Sequence, residues 1–305
     1  MIQTALSLLS VYVFILIGYL VKLFFKDKLH QKSLVLVSVY ILQPFLTFWG
    51  LLKKDLDFDL LSTPLFFILI SLMAIFFNFL ISKKLFTNTK DRSIFTVAGV
   101  IGNTGNLGIP LGIAIFGEGS IPYTTMINLA NVFVVYTLGV YFYSRGNFDV
   151  KKSLLNIIKL PILWFAILAI IFNLAKIEIH PAFMRSLEMG AYASIVVQLM
   201  IFGIYLYSVK IKELNIKLQI SINIVKFLML PILSFFIIKY LPIEPFSKAI
   251  LFMECIMPLA VTNVNLSALY ECRPKEVTAA VFSTSLIFLG LIFLYLPLIH
   301  ILIKS

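Results

Sequence analysis

The stretch "GNTGNLGIP", Gly102–Pro110, lies inside the longer apolar segment "SIFTVAGVIGNTGNLGIPLGIAIFG", residues 93–117. The outer parts of that segment read as a membrane-crossing helix. Its middle does not: glycines, two asparagines, a threonine and a proline fall within nine residues. Proline removes a backbone donor and disturbs the turn before it, and glycine weakens a helix interior. Backbone groups freed in this way find no bulk water in hydrocarbon, so such an interruption is tolerated only where protein or a wet cavity surrounds it.

The rest of the chain supplies the context. Its 305 residues are 61% hydrophobic, with a mean hydropathy of +1.02, and apolar runs of about 20 residues, enough to cross a bilayer core, recur from end to end. The composition therefore describes an all-α polytopic membrane protein without room for a separate soluble domain. Ten spans can be drawn, at roughly 4–24, 33–52, 63–84, 93–117, 121–143, 154–174, 183–208, 219–241, 247–270 and 275–301. The first run lacks a basic start and a small-residue cleavage site and reads as a span rather than a signal peptide. The net charge of +11 does not mark a nucleic-acid binder, because it is sorted by loop. Sixteen Lys and Arg lie in the loops after spans 1, 3, 5, 7 and 9, and seven lie on the other side. The positive-inside rule then puts the odd-numbered loops in the cytoplasm and both termini outside. Cys255 and Cys272 form neither a disulfide framework nor a metal spacing.

Ten spans divide into five plus five, residues 1–150 and 151–305, and an odd number per half gives the halves opposite orientation. Span 9, five spans after the interrupted span 4, carries "ECIMPLAVTNVNLSALY", with Pro258, Thr262, Asn263 and Asn265. Interrupted helices at matching places of two halves point to a central binding site; two kinked helices packed through small residues are the alternative. Asn128 and Asn131 in span 5 share a helix face that two unpaired amides would keep away from lipid. Ser283, Thr284 and Ser285 hold the corresponding place in span 10, while Gln43 and Gln198 are further polar groups within spans. Lys226 lies near the cytoplasmic end of span 8, where it can snorkel.

Glu254 differs from the other acidic residues, which sit in loops or near span ends. It lies about 12 Å into span 9 at 1.5 Å per residue, one turn before Pro258. An intramembrane carboxylate costs several kcal/mol unless it is paired, protonated or bound to a cation. With no basic residue within a turn of it in sequence, a proton or Na⁺ is its natural partner; a protonated Glu bonded to a neighbouring helix is the alternative. No intramembrane His–acid, Ser–His or metal-ligand cluster suggests an enzyme. A channel would also accommodate broken helices, although two unlike interruptions with one carboxylate suit a single discrete site better than a repeated filter.

The segments "GNTGNLGIPLG" and "MPLAVTNVNLSALYECRPKEVTAAVFSTSL" resemble those of the auxin efflux carrier family, which holds the plant PIN exporters and their prokaryotic PIN-like relatives. The resemblance implies a 5+5 inverted repeat similar in fold to bile-acid/sodium symporters and Na⁺/H⁺ antiporters. Helices 4 and 9 would cross near the midplane. Helices 1, 2, 6 and 7 would form a scaffold, commonly a dimer interface, and helices 3–5 and 8–10 would form a transport domain. It further implies a secondary transporter of a small organic carboxylate, auxin-like or a dicarboxylate, in the plasma membrane. By motif position Asn103 and Asn106 would bind the substrate carboxylate. Thr104, Pro110, Asn128, Asn131, Pro258, Thr262 and Asn263 complete the candidate substrate site. Plant relatives lack an acid just before the span-9 proline, whereas the bile-acid symporters carry a Na⁺-ligating glutamate in span 9. Glu254 with Asn103, Asn106 and Asn131 is accordingly the candidate Na⁺ site. Uncoupled or proton-coupled transport is the alternative.

Overall fold

The computed structural model describes residues 2–145, 149–208 and 214–304. Lys210 and Lys212, counted above among the charges after span 7, lie outside the described residues. Among the described residues the chain is helical, without strands, and carries one isolated antiparallel bridge, between Gly102 and Leu259.

Among the described residues, seven helical stretches are long and apolar enough to cross a membrane: Leu6–Phe25, Gln31–Leu51, Phe58–Leu85, Glu118–Tyr143, Pro181–Tyr207, Ile216–Lys239 and Pro274–Ile303. The protein is therefore a multi-pass membrane protein. Large apolar side chains such as Phe24, Leu65 and Leu294 are exposed on these helices. A helix apolar on every side suits lipid, where such exposure carries no hydrophobic cost. The three remaining sequence spans are short or interrupted. Span 6 is helical over Pro161–Leu174, with Pro161 in its first turn. Spans 4 and 9 each break into two helices, described below.

The helices are α1 (Ile2–Phe25), α2 (Gln31–Val37), α3 (Gln43–Leu51), α4 (Phe58–Leu85), α5 (Thr89–Val97), α6 (Ile109–Phe116), α7 (Ile121–Val134), α8 (Val140–Tyr143), α9 (Val150–Ile158), α10 (Pro161–Leu174), α11 (Pro181–Ser208), α12 (Ile216–Ile224), α13 (Leu230–Lys239), α14 (Pro245–Cys255), α15 (Thr262–Leu269) and α16 (Pro274–Ile303). Wider π-turns occupy Ser38–Leu42, Thr104–Gly108, Val135–Gly139 and Val225–Met229. Such turns recur at functional sites because they re-aim side chains within an otherwise regular helix.

The chain forms two compact units, and each draws on both sequence halves. The first comprises Met1–Leu61, Gly105–Leu129 and Ile158–Ser208. Within it α1 packs along α11, and α3 packs on α10 and α11. Leu46, Trp49, Ile109, Ile121 and Ala191 form one core cluster, and Phe48, Leu51, Ala166 and Ala169 form another. Asn173 closes the turn after α3, donating to Leu51 O and Lys54 O and accepting from Leu56 N–H.

The second unit comprises Ser62–Thr104, Ala130–Ile157 and Val209–Ser305. A polar belt holds several of its helix ends. The Asn88 side chain caps α5 by accepting from Lys90 N–H and Asp91 N–H. Asp91 pairs with Arg273 at 2.9 Å and accepts from the Asn215 amide. Glu276 accepts from Asn215 N–H and Gln219. Burial pushes the Asp91 carboxyl above its ordinary value, against the pull of Arg273.

Candidate functional site

Local chemistry accounts for both breaks. α5 ends at Val97, and the Val100 and Ile101 N–H groups close the turn onto Val97 O. The chain is then extended through Gly102 and Asn103 before the π-turn and α6. Pro110 enters in the first turn of α6, where its missing N–H is not needed. In span 9, α14 stops at Cys255, three residues before Pro258, which supplies no amide and disfavours helix in the residue before it. The chain resumes as α15 at Thr262.

The two interruptions, both within the second unit here, are hydrogen-bonded to each other. Asn103 N–H donates to Pro258 O at 2.8 Å, and Ala260 N–H donates to Ile101 O at 3.0 Å. Gly102 permits the approach: a Cβ there would lie 3.3 Å from Met257 O. Side chains satisfy much of what remains. The Asn131 amide donates to Gly102 O at 2.9 Å and Thr104 Oγ1 at 3.0 Å. The Asn263 amide donates to Ile101 O and Ala260 O, each at 3.0 Å, and its oxygen accepts from the Tyr143 hydroxyl at 3.0 Å. Thr284 Oγ1 accepts from Leu259 N–H. The freed carbonyls thus have partners, as buried backbone requires.

Some buried side-chain atoms have no hydrogen-bond partner. They include Asn103 Nδ2, Asn131 Oδ1 and both Glu254 carboxylate oxygens. Native proteins contain few such groups, and a cluster of them marks a place for a ligand or an unmet charge. Lys226 lies beside them. It is fully buried, occupies the π-turn Val225–Met229, and donates from Nζ to Cys255 O at 3.1 Å. Its Nζ is 3.4 Å from where a Gly102 Cβ would be, and the carbonyl it bonds belongs to the residue after Glu254.

The first unit holds Asn106, Asn128 and Pro110. Asn106 Oδ1 accepts from Gln43 Nε2 at 3.1 Å. Asn128 covers Gly105, where a Cβ would fall 2.7 Å from Asn128 Oδ1. Pro110 is buried. Thr262 begins α15 in the second unit, half-buried.

A family model described as a membrane transport protein matches residues 4–296. The chain belongs to that family, the family of the auxin efflux carriers. It is similar to an uncharacterized transporter of Methanocaldococcus jannaschii, 29% identical over 288 residues, covering 91% of this chain and 92% of the relative. This family member is a membrane transporter, not an enzyme.

Lys226 corrects the sequence reading of this transporter. The expectation that it snorkels to the interface fails, because its ammonium is buried against the break in span 9. The available signal was a lone basic residue well inside an apolar run, the counterpart of the lone Glu254. Tyr143 was also missed, since a tyrosine in an apolar helix carries no mark of the amide it will meet.

Lys226 also bears on the candidate Na⁺ ligands. Glu254 and Asn131 do offer oxygens without partners. Against this, Lys226 Nζ already engages the carbonyl of the adjacent Cys255. Asn106 Oδ1 is bonded to Gln43, and the unpartnered atom of Asn103 is a donor, which repels a metal ion. Of the four candidates, Glu254 and Asn131 offer unpartnered oxygens, and Asn103 and Asn106 do not.

Proposed function

We propose that this protein is a secondary transporter that carries a small organic carboxylate across the plasma membrane by alternating access around the two joined interruptions. In this reading ten spans form a 5+5 inverted repeat, helices 4 and 9 cross at the site, both termini lie outside, and the carrier is a homodimer. Helices 1, 2, 6 and 7 serve as scaffold, and helices 3–5 and 8–10 move the site. The composition of the two compact units agrees with that division in part: the first takes in α1, α3, α10 and α11 but also α6 and most of α7, and the second takes in α4, α12, α13, α14, α15 and α16.

The observation that carries the reading is the buried Asn103 amide. Its nitrogen has no partner, although the backbone of the same residue is fixed by Pro258 O. A donor held in this way beside a buried ammonium is suited to a carboxylate oxygen. It binds the anion by charge-assisted hydrogen bonds, which are shorter and stronger than neutral ones. The Asn131 amide holds the Gly102 carbonyl and the Thr104 hydroxyl on either side of Asn103 in the chain.

Thermal unfolding of the purified protein with a panel of monocarboxylates and dicarboxylates tests this. A ligand of the folded state stabilises by RT ln(1 + [L]/Kd), about 2.7 kcal/mol at a hundred times Kd. We expect one class of carboxylate to raise the midpoint in the wild type. Asn103→Ala should retain the unliganded midpoint within a few degrees and lose that rise. If no carboxylate shifts the wild type, or if Asn103→Ala responds like it, the assignment is wrong. Planar-bilayer recording separates a carrier from a channel: unitary currents would exclude alternating access.

A further inference from the structure

Resting on the reading of helices 1, 2, 6 and 7 as scaffold and of both termini as external, we propose that Glu118, Lys53 and Tyr192 form the latch of an outer gate. The gate is closed in this structure over an apolar layer that seals the transport site from outside.

The layer lies within the first unit. α6 and the first part of α7 belong to spans 4 and 5, yet they pack with α1, α3, α10 and α11. Leu46 and Trp49 of α3, Ile109 of α6, Ile121 of α7 and Ala191 of α11 form one buried cluster. Gly50 brings α3 hard against α7, since a Cβ there would lie 2.6 Å from Ile121 Cγ2. Ile121 stands about 10 Å nearer the outer end of span 5 than Asn128, at 1.5 Å per residue. An anion crossing such a layer would lose its water and gain no hydrogen bond in return.

The latch sits at the outer end of the layer. Glu118 opens the turn between α6 and α7, and each of its carboxylate oxygens has its own partner. Oε2 pairs with Lys53 Nζ at 2.5 Å, and Oε1 accepts from the Tyr192 hydroxyl. Lys53 follows α3 and lies over the Trp49 ring, 4.1 Å from its centroid. Trp49 meets the Tyr192 ring with centroids 5.5 Å apart, so it belongs to both the latch and the layer. Gly117, at φ +80°, makes the sharp exit from α6 that a side chain would strain. One loop of the moving helices is thus clasped by two scaffold helices. The Lys53 and Glu118 side chains remain 27% and 44% exposed, and an ion pair open to water contributes little to stability. That weakness suits a gate, which must favour the closed state without freezing it. Helices 4 and 5 cannot travel against helices 2 and 7 until these contacts part.

The test reads access to the site from outside, in intact cells, with a membrane-impermeant methanethiosulfonate. The reporter is Asn128→Cys; Cys255 and Cys272 are buried, and the wild type gives the background. External labelling of Glu118→Cys first checks that the latch faces outward. In the reporter background, Lys53→Glu, Glu118→Gln and Tyr192→Phe should label at least about threefold faster, the shift in open population that a weak latch controls. Lys53→Glu/Glu118→Lys should restore slow labelling, which a merely local disturbance would not do. Rates unchanged in Lys53→Glu, or a swapped pair as fast as Lys53→Glu, would overturn the gate. Should Lys53→Glu fail to fold, Glu118→Gln and Tyr192→Phe decide, and unchanged labelling in both overturns it. Absent labelling of Glu118→Cys would overturn the topology and the gate together, whereas an outward pair with unaltered rates overturns the gate alone. No anion is used, so these outcomes are separable from failure of the carboxylate assignment.

Discussion

Gly203→Ala should leave little folded protein after extraction from the membrane. In the first unit α1 and α11 run against each other, and Gly203 stands where their backbones meet. A Cβ at Gly203 would lie 1.9 Å from Ile15 O and 2.8 Å from Tyr19 N, both main-chain atoms. No rotamer change relieves that overlap, so one helix must move bodily away from the other. The same approach is made from the opposite side at Gly18, where a Cβ would be 2.1 Å from Met200 O. Membrane helices associate by close packing through small residues rather than by the hydrophobic effect. Separation therefore removes dispersion contacts along the pair, including the edge-to-face contact of Tyr19 and Tyr207. Overpacking typically costs about 1–3 kcal/mol, and more where only backbone can yield. Gly290→Ala is the matched control: Gly290 lies in α16 with no atom within 4 Å of an added Cβ. It should be neutral or stabilising by up to about 1 kcal/mol through helix propensity. Size-exclusion profiles and thermal midpoints of the two variants make the comparison. Equal behaviour would refute the close approach of α1 to α11.

Particular residues explain what was readable in advance. The interruptions in spans 4 and 9 were legible because Gly, Pro and Asn defeat a helix wherever they occur in hydrocarbon. Their hydrogen bonding to each other was not legible from spacing, since Asn103 and Pro258 are far apart in sequence, and it entered only through family resemblance. Lys226 was misread for a related reason. Snorkelling is judged from distance along one helix, whereas burial depends on the neighbours and on a π-turn that sequence does not mark. Asn263 was recognised as polar in the wrong place and assigned to substrate. Its amide and carbonyl are in fact engaged by Ile101, Ala260 and Tyr143. Periodicity signals that an amide must be buried, but not whether backbone or ligand will use it. Span 6 looked like its neighbours in composition, yet Pro161 starts its membrane helix late and leaves only Pro161–Leu174.

Asn263→Leu should cost about 3 kcal/mol and weaken anion binding at least about tenfold, because Asn263 ties both interruptions to the last turn of span 5. Two of its three bonds go to carbonyls that keep another donor: Ile101 O retains Ala260 N–H, and Ala260 O retains Asn263 N–H. Losing these two contacts removes about 0.5–1.5 kcal/mol each. The third bond is different. The Tyr143 hydroxyl is buried and donates to Asn263 Oδ1, and removing an acceptor from a buried donor costs about 1–3 kcal/mol. Tyr143→Phe should therefore destabilise less than Asn263→Leu and should recover part of the loss when added to it. Such non-additivity is what a double-mutant cycle reads for groups in direct contact. The binding loss follows from geometry: Asn103 is aligned by its bond to Pro258 O, and Asn263 holds Ile101 and Ala260, which form the neighbouring bond between the two interruptions. Misalignment worth about 1.4 kcal/mol to a bound carboxylate weakens it tenfold. The cycle is measured twice, by thermal midpoint without anion and by anion titration at fixed temperature. Additive stability losses would show that Tyr143 finds another acceptor. Unchanged anion affinity in Asn263→Leu would show that the joined interruptions keep their register without this residue, and would leave Asn131 as the side chain that sets it.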